Sequence, residues 1–83
     1  MDAIETAVRE VLADRAKLQT GAAELDAGDD LFDRGLTSLA TVEVMLALEE
    51  RFGVEFPDEA LTRTTFRSVA ALRDLVSGLG ASA

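Results

Sequence analysis

The chain contains no cysteine and no histidine. The first absence rules out a disulfide framework and a thiolate nucleophile within the polypeptide. The second removes the commonest general base and the commonest transition-metal ligand. Lysine is scarce as well, with Lys17 the single example. No apolar run approaches the roughly 20 residues that a membrane-spanning helix needs. Asp2 and Glu5 stand where a secretory leader would carry basic residues. A cytoplasmic protein with no membrane partner is the expectation.

What is present fits one small domain, residues 1–83, with no composition break to suggest a second. Hydrophobic residues are 48% of the chain, enough for a single thin core at this size. The formal charge is −8, and it is unevenly placed. Eleven acidic residues against Arg34 and Arg51 give the stretch Glu24–Glu59 a net of −9, so the whole excess lies there. Such a field repels nucleic acid and steers positively charged protein surfaces toward this region.

Apolar spacing predicts helices and no strand. Ile4, Val8, Val11, Leu12 and Leu18 recur at helical spacing, with acids at the front and Arg15 and Lys17 near the end, so helix one is expected over about 2–18. Thr20-Gly21 is a plausible stop. A long connection, about 19–37, is rich in Gly and Asp and carries Leu25, Leu31, Phe32 and Leu36 as apolar anchors; long loops in small domains are often functional. Helix two should run over about 38–51 and stop at Gly53. A short helix three is expected at about 58–62, opened by Pro57-Asp58. Helix four should span about 67–78, with Val69, Leu72, Val76 and Leu79 on one stripe, and the tail from Gly80 should fray. The fold class is all-α, a small four-helix bundle.

Helix two carries two opposed apolar stripes. At about 100° per residue, Val44, Met45, Leu48 and Phe52 share one side, while Leu39, Val42 and Leu46 share the other, flanked by Glu43, Glu49 and Glu50. One stripe docks a helix on a core, whereas two ask for two partners. An apolar centre inside a charged rim has the composition of a docking surface.

Two chemical readings of the neighbouring segment fail. Asp26, Gly28 and Asp30 could begin a calcium loop, but Leu31 stands where the sharp turn needs Gly and Thr37 where the bidentate Glu belongs. Ser38 could be a catalytic nucleophile, but the chain supplies no His to activate it, its only Lys is Lys17, and Gly35-Leu36-Thr37-Ser38-Leu39 is not a Gly-x-Ser-x-Gly elbow. An enzyme is not expected. Thr37 or Ser38 can cap helix two, and a serine at a helix start suits a phosphate attached by another enzyme.

The run Asp30-Leu31-Phe32-Asp33-Arg34-Gly35-Leu36-Thr37-Ser38-Leu39-Ala40-Thr41-Val42-Glu43 resembles the modification-site signature of acyl carrier proteins. The likeness continues through Met45–Asp58, and Thr64-Thr65-Phe66 with Ser68–Leu72 resembles the entry to that family's last helix. The resemblance implies that a phosphopantetheinyl transferase moves 4'-phosphopantetheine from coenzyme A onto Ser38. The arm's thiol would then carry an acyl or aminoacyl group as a thioester. It also implies that Leu39, Val42, Glu43, Leu46, Glu49 and Glu50 present helix two to basic surfaces on partner enzymes. One departure stands out: Thr37 occupies the position before the serine where the family usually has Asp, which bears on which transferase and partners recognise the site.

Carriers for fatty acids, polyketides, peptides and single amino acids share the motif, so the cargo stays open. The main expectation is a discrete acyl carrier, since the chain opens at Met1 and closes at Ala83, and a monomer. An aminoacyl or peptidyl carrier loaded by a dedicated ligase is the alternative, and an unmodified acidic adaptor is a third reading.

Overall fold

The computed structural model describes residues 2–19 and 21–80, so the expected stop at Thr20 and the fraying of Ala81–Ala83 lie outside the described residues. Helix α1 is Ala3–Arg15, α2 is Ser38–Phe52 and α3 is Val69–Gly78. Three single 3₁₀ turns, Ala22–Glu24, Phe32–Arg34 and Asp58–Ala60, lie between them, and no strand is present among the described residues.

Local chemistry explains where each helix begins. Asp2 caps α1 through its carboxylate, which accepts from the amides of Ile4 and Glu5. Thr37 does the same for α2 and Ser68 for α3, accepting from the amides of Ala40 and Ala71. Each cap satisfies an orphan donor of the first turn and places the preceding backbone in extended conformation. Because Ser68 is the extended cap, α3 starts at Val69 rather than near 67. Helix α1 ends at Arg15, short of the expected 18. Lys17 adopts a left-handed φ of 44°, reversing the chain so that Leu18 returns to the core. Helix α2 is closed by Gly53 at φ 64°, a conformation glycine adopts without strain.

The expected short third helix over about 58–62 is a single 3₁₀ turn. Leu61 leaves helical geometry at ψ 66°, and the Thr62 amide bonds back to the Ala60 carbonyl at 2.8 Å, so no second turn propagates.

Helix α1 packs on both α2 and α3. Val8 and Leu12 of α1, Val44 and Leu48 of α2, and Val69, Leu72 and Val76 of α3 are fully buried, with Leu31 and Phe66 from the connections filling the centre. Phe66 stacks on Phe56 with centroids 6.2 Å apart. The connection between α1 and α2 is tied down at several of its described residues. Ala22, Leu25, Leu31 and Leu36 are buried in the core, and the Arg9 guanidinium donates to the carbonyls of Ala22 and Leu25. The Leu31 amide bonds the Arg67 carbonyl at 2.7 Å and the Ala70 amide bonds the Ala27 carbonyl at 2.9 Å, lacing the connection to the entry of α3.

Candidate functional site

The approach to Ser38 is set by three neighbouring residues. Gly35 closes the Phe32–Arg34 turn at φ 107°, where a side chain would be strained. A Cβ there would also meet Gln19 Cγ at 3.3 Å, because the Gln19 amide is held by the Arg34 carbonyl at 2.8 Å. Leu36 then drops into the core, its amide bonding the Leu31 carbonyl. Thr37 caps α2 with Oγ1 3.1 Å from the Ala40 amide. Ser38 is thereby left exposed as the first residue of the helix. The Thr37 hydroxyl takes the capping role, so the Ser38 hydroxyl is not needed for it.

Around Ser38 the structure forms a cleft, and among the described residues no candidate base lines it. The cleft that Ser38 opens into has a volume of about 260 Å³ and is lined by Phe32, Thr41, Val42, Leu61, Arg63 and Phe66 among others. It holds no carboxylate and no general base. Thr41 Oγ1 is occupied, donating to the Ser38 carbonyl at 2.6 Å. Arg63 lays its guanidinium over the Phe32 ring, 4.1 Å from the centroid. No cluster of acidic residues suited to a metal ion is present among the described residues.

The second feature is the outward face of α2. Leu39 is 81% exposed, Val42 44% and Leu46 54%. On the opposite side, Val44 and Leu48 are fully buried, with Met45 and Phe52 partly buried against the core. Leu39, Val42 and Leu46, with Leu61 at 49%, are the large hydrophobic residues exposed among the described residues. They continue from the cleft along one side of the molecule. Glu43 and Glu50 are exposed beside them. Glu49, expected on the same rim, is half-buried, and its Oε2 accepts from the Phe56 amide at 2.8 Å. It holds the segment after α2 against the helix.

Sequence reasoning missed Phe32, Leu61 and Arg63 as neighbours of Ser38. In the sequence Phe32 is an apolar anchor of the connection, and the other two lie in a connection without periodicity. The one available signal was Leu61 as an isolated large apolar residue among Asp58, Glu59, Thr62 and Arg63.

Ser38 is therefore an exposed hydroxyl at a helix start, beside a cleft and an apolar face, with no base in the cleft lining. Comparison with known proteins shows the family. The phosphopantetheine attachment site family matches residues 6–76. An aminoacyl carrier protein of Agrobacterium fabrum (strain C58 / ATCC 33970) is 42% identical over 69 residues, 83% of each chain. A chain in the crystal structure of an engineered Bradyrhizobium japonicum glycine:[carrier protein] ligase complexed with carrier protein from Agrobacterium tumefaciens and ATP is similar at a TM-score of 0.85. Its sequence identity is 39%, over 89% of this chain and 96% of that one. The complex of the Bradyrhizobium japonicum ligase with glycylated carrier protein contains a chain similar at 0.75, with 28% identity over 89% and 99%.

This chain belongs to the phosphopantetheine attachment site family and is a carrier protein. It carries 4'-phosphopantetheine covalently. The residues around Ser38 fit that group: an accessible hydroxyl, an acid-free cleft and a guanidinium in its lining. When bound, the arm supplies the thiol that the polypeptide lacks. No helix among the described residues is long and apolar enough to cross a membrane.

Proposed function

We propose that Ser38 is the attachment residue and that the arm's thiol carries a single amino acid as a thioester, loaded by a dedicated ligase. The observation that supports this most is the exposure of Ser38 at the start of α2, next to the apolar stripe of Leu39, Val42 and Leu46. In the modification step Ser38 Oγ bonds to the phosphorus that bears the pantetheine. The bond from that phosphorus to the adenosine side of coenzyme A breaks, and the bisphosphorylated nucleoside leaves. The proton from Ser38 passes to a base on the transferase, since this chain has no histidine to take it. The polypeptide itself does no catalysis in this reading. It works in the cytoplasm as a monomer, and the Asp58–Ala60 turn counts as the third helix of a four-helix carrier bundle with its long connection between the first two.

The aminoacyl cargo, the alternative to acyl groups on the sequence alone, is favoured by the similarity to an aminoacyl carrier protein and to carrier chains bound to a glycine ligase. On the docking face, Glu43 and Glu50 would meet Arg or Lys of partner enzymes around the apolar stripe, while Glu49 serves mainly to hold Phe56. The test uses the modified protein with ATP, single amino acids and a glycine:[carrier protein] ligase. The expected result is a mass gain of one aminoacyl group that hydroxylamine removes, as it does thioesters. Acceptance of fatty acyl groups from an acyl-loading enzyme, with no aminoacyl transfer, would overturn the cargo assignment in favour of an acyl carrier.

A further inference from the structure

The cations of this chain are distributed unevenly between paired and unpaired. Arg9, Arg15, Arg34, Arg51, Arg67 and Arg73 each have a carboxylate oxygen within 4.0 Å. Among the described residues Lys17 and Arg63 have none, in a protein of net charge −8. Both line clefts that flank the start of α2. Lys17 shares its cleft with Thr37, Leu39 and the acidic Glu43, and Ser38 is not part of that lining. Arg63 shares the other with Ser38 itself, and no acidic side chain contributes to it. In so acidic a protein, a guanidinium without a carboxylate partner in the same cleft as the attachment serine is a positive site left open for an anion.

The guanidinium is also held in place. It lies over the Phe32 ring at 4.1 Å, a cation–π arrangement that favours this position and leaves its N–H edge without a hydrogen-bond partner among the described residues. Arginine matches phosphate oxygens with paired N–H donors and is less strongly hydrated than an ammonium. A side chain already ordered by stacking loses less freedom on binding.

We propose that Arg63 binds the phosphodiester of the arm attached to Ser38 and so fixes the root of the arm in the cleft beside Phe32 and Leu61. This rests on the reading that Ser38 carries the arm. The phosphorus is then bonded directly to Ser38 Oγ, so the contact is intramolecular and even a weak pair is populated. Arg63 is a positioning residue in this scheme. It directs the arm to emerge past Val42 and Leu61, next to the stripe that faces a partner. Lys17 takes no part and serves as an internal control.

The test is nuclear magnetic resonance of the modified protein, with intact mass establishing that each sample carries one arm. The phosphorus resonance of the wild type should differ from that of Arg63→Gln and coincide with that of Lys17→Gln, with Arg63→Lys between. The Arg63 Nε–Hε cross-peak should shift when the unmodified protein gains the arm. At about 1 M salt, where screening acts over about 3 Å, the wild-type phosphorus resonance should move toward the Arg63→Gln position. Arg63 is exposed, so these variants should melt as the wild type does. A phosphorus resonance unchanged by Arg63→Gln, or an Arg63 cross-peak unchanged by modification, would overturn the proposal while leaving Ser38 as the attachment residue. A wild-type mass that shows no arm would remove the reading beneath it, and the proposal with it.

Discussion

At the scale of single residues, Glu49 and Glu50 show how neighbouring identical side chains take different work. Glu49 spends a carboxylate oxygen on the Phe56 amide at 2.8 Å, whereas Glu50 is exposed. An amide in a partly buried segment that loses its acceptor costs about 1–3 kcal/mol. Glu49→Ala should therefore lower the unfolding free energy by roughly that amount, and Glu50→Ala should change it by less than about 0.5 kcal/mol. Denaturant titration of the two variants checks this, and equal effects would contradict the assignment. The difference was not legible in the sequence. Both residues flank the outward stripe on a helical wheel, and only the return of the chain at Phe56, seven residues from Glu49, separates them. The position of Ser38 at the start of α2 was legible for the opposite reason. Its signature is local, running from Asp30 to Glu43 without a break. Its environment was less so, because Phe32, Leu61 and Arg63 reach the cleft from connections whose positions depend on tertiary packing.

At the scale of elements, α2 divides its apolar residues between core and surface. Its inner stripe is fixed by burial and its outer stripe is left over. Leu48→Ala removes a fully buried side chain and should cost roughly 2–5 kcal/mol. Leu46→Ala, at a residue more than half exposed, should cost well under about 1 kcal/mol and instead weaken binding to a loading enzyme. Thermal or chemical unfolding of both variants separates the faces, and a Leu46→Ala protein as unstable as Leu48→Ala would show that the outer stripe belongs to the core. Helical periodicity makes the two faces of α2 readable in the sequence alone. It could not show that α1 stops at Arg15, since Lys17 and Leu18 continue the apolar and charge pattern of a helix. The left-handed turn at Lys17 answers to the return of Leu18 to the core, a demand from elsewhere in the molecule. The 3₁₀ turn at Asp58–Ala60 was foreseen as a helical start after Pro57, but not its length, which the Thr62 to Ala60 hydrogen bond cuts short.

At the scale of the whole molecule, charge and apolar surface act together. The acidic excess of Glu24–Glu59 includes Glu43 and Glu50 at the edge of the exposed stripe. Charges at a solvated rim mainly raise encounter rates, and salt screens them beyond about 10 Å at 0.1 M. Glu43→Lys should slow loading of the modified protein while leaving helical content and melting unchanged, and rising salt should slow the wild type in the same way. Stopped-flow association at several ionic strengths reads both effects. A rate indifferent to salt and to the reversal would reduce the acidity to a role in solubility.

The central claim, that Ser38 is where this carrier receives its arm, is tested most directly by intact mass. The unmodified chain is incubated with coenzyme A and a broad-specificity phosphopantetheinyl transferase, alongside Ser38→Ala and a Thr37→Ala control. The account predicts a gain of one phosphopantetheine in the wild type and the control, and none in Ser38→Ala. A wild-type chain that gains nothing, or a Ser38→Ala chain that still gains the group, would contradict it.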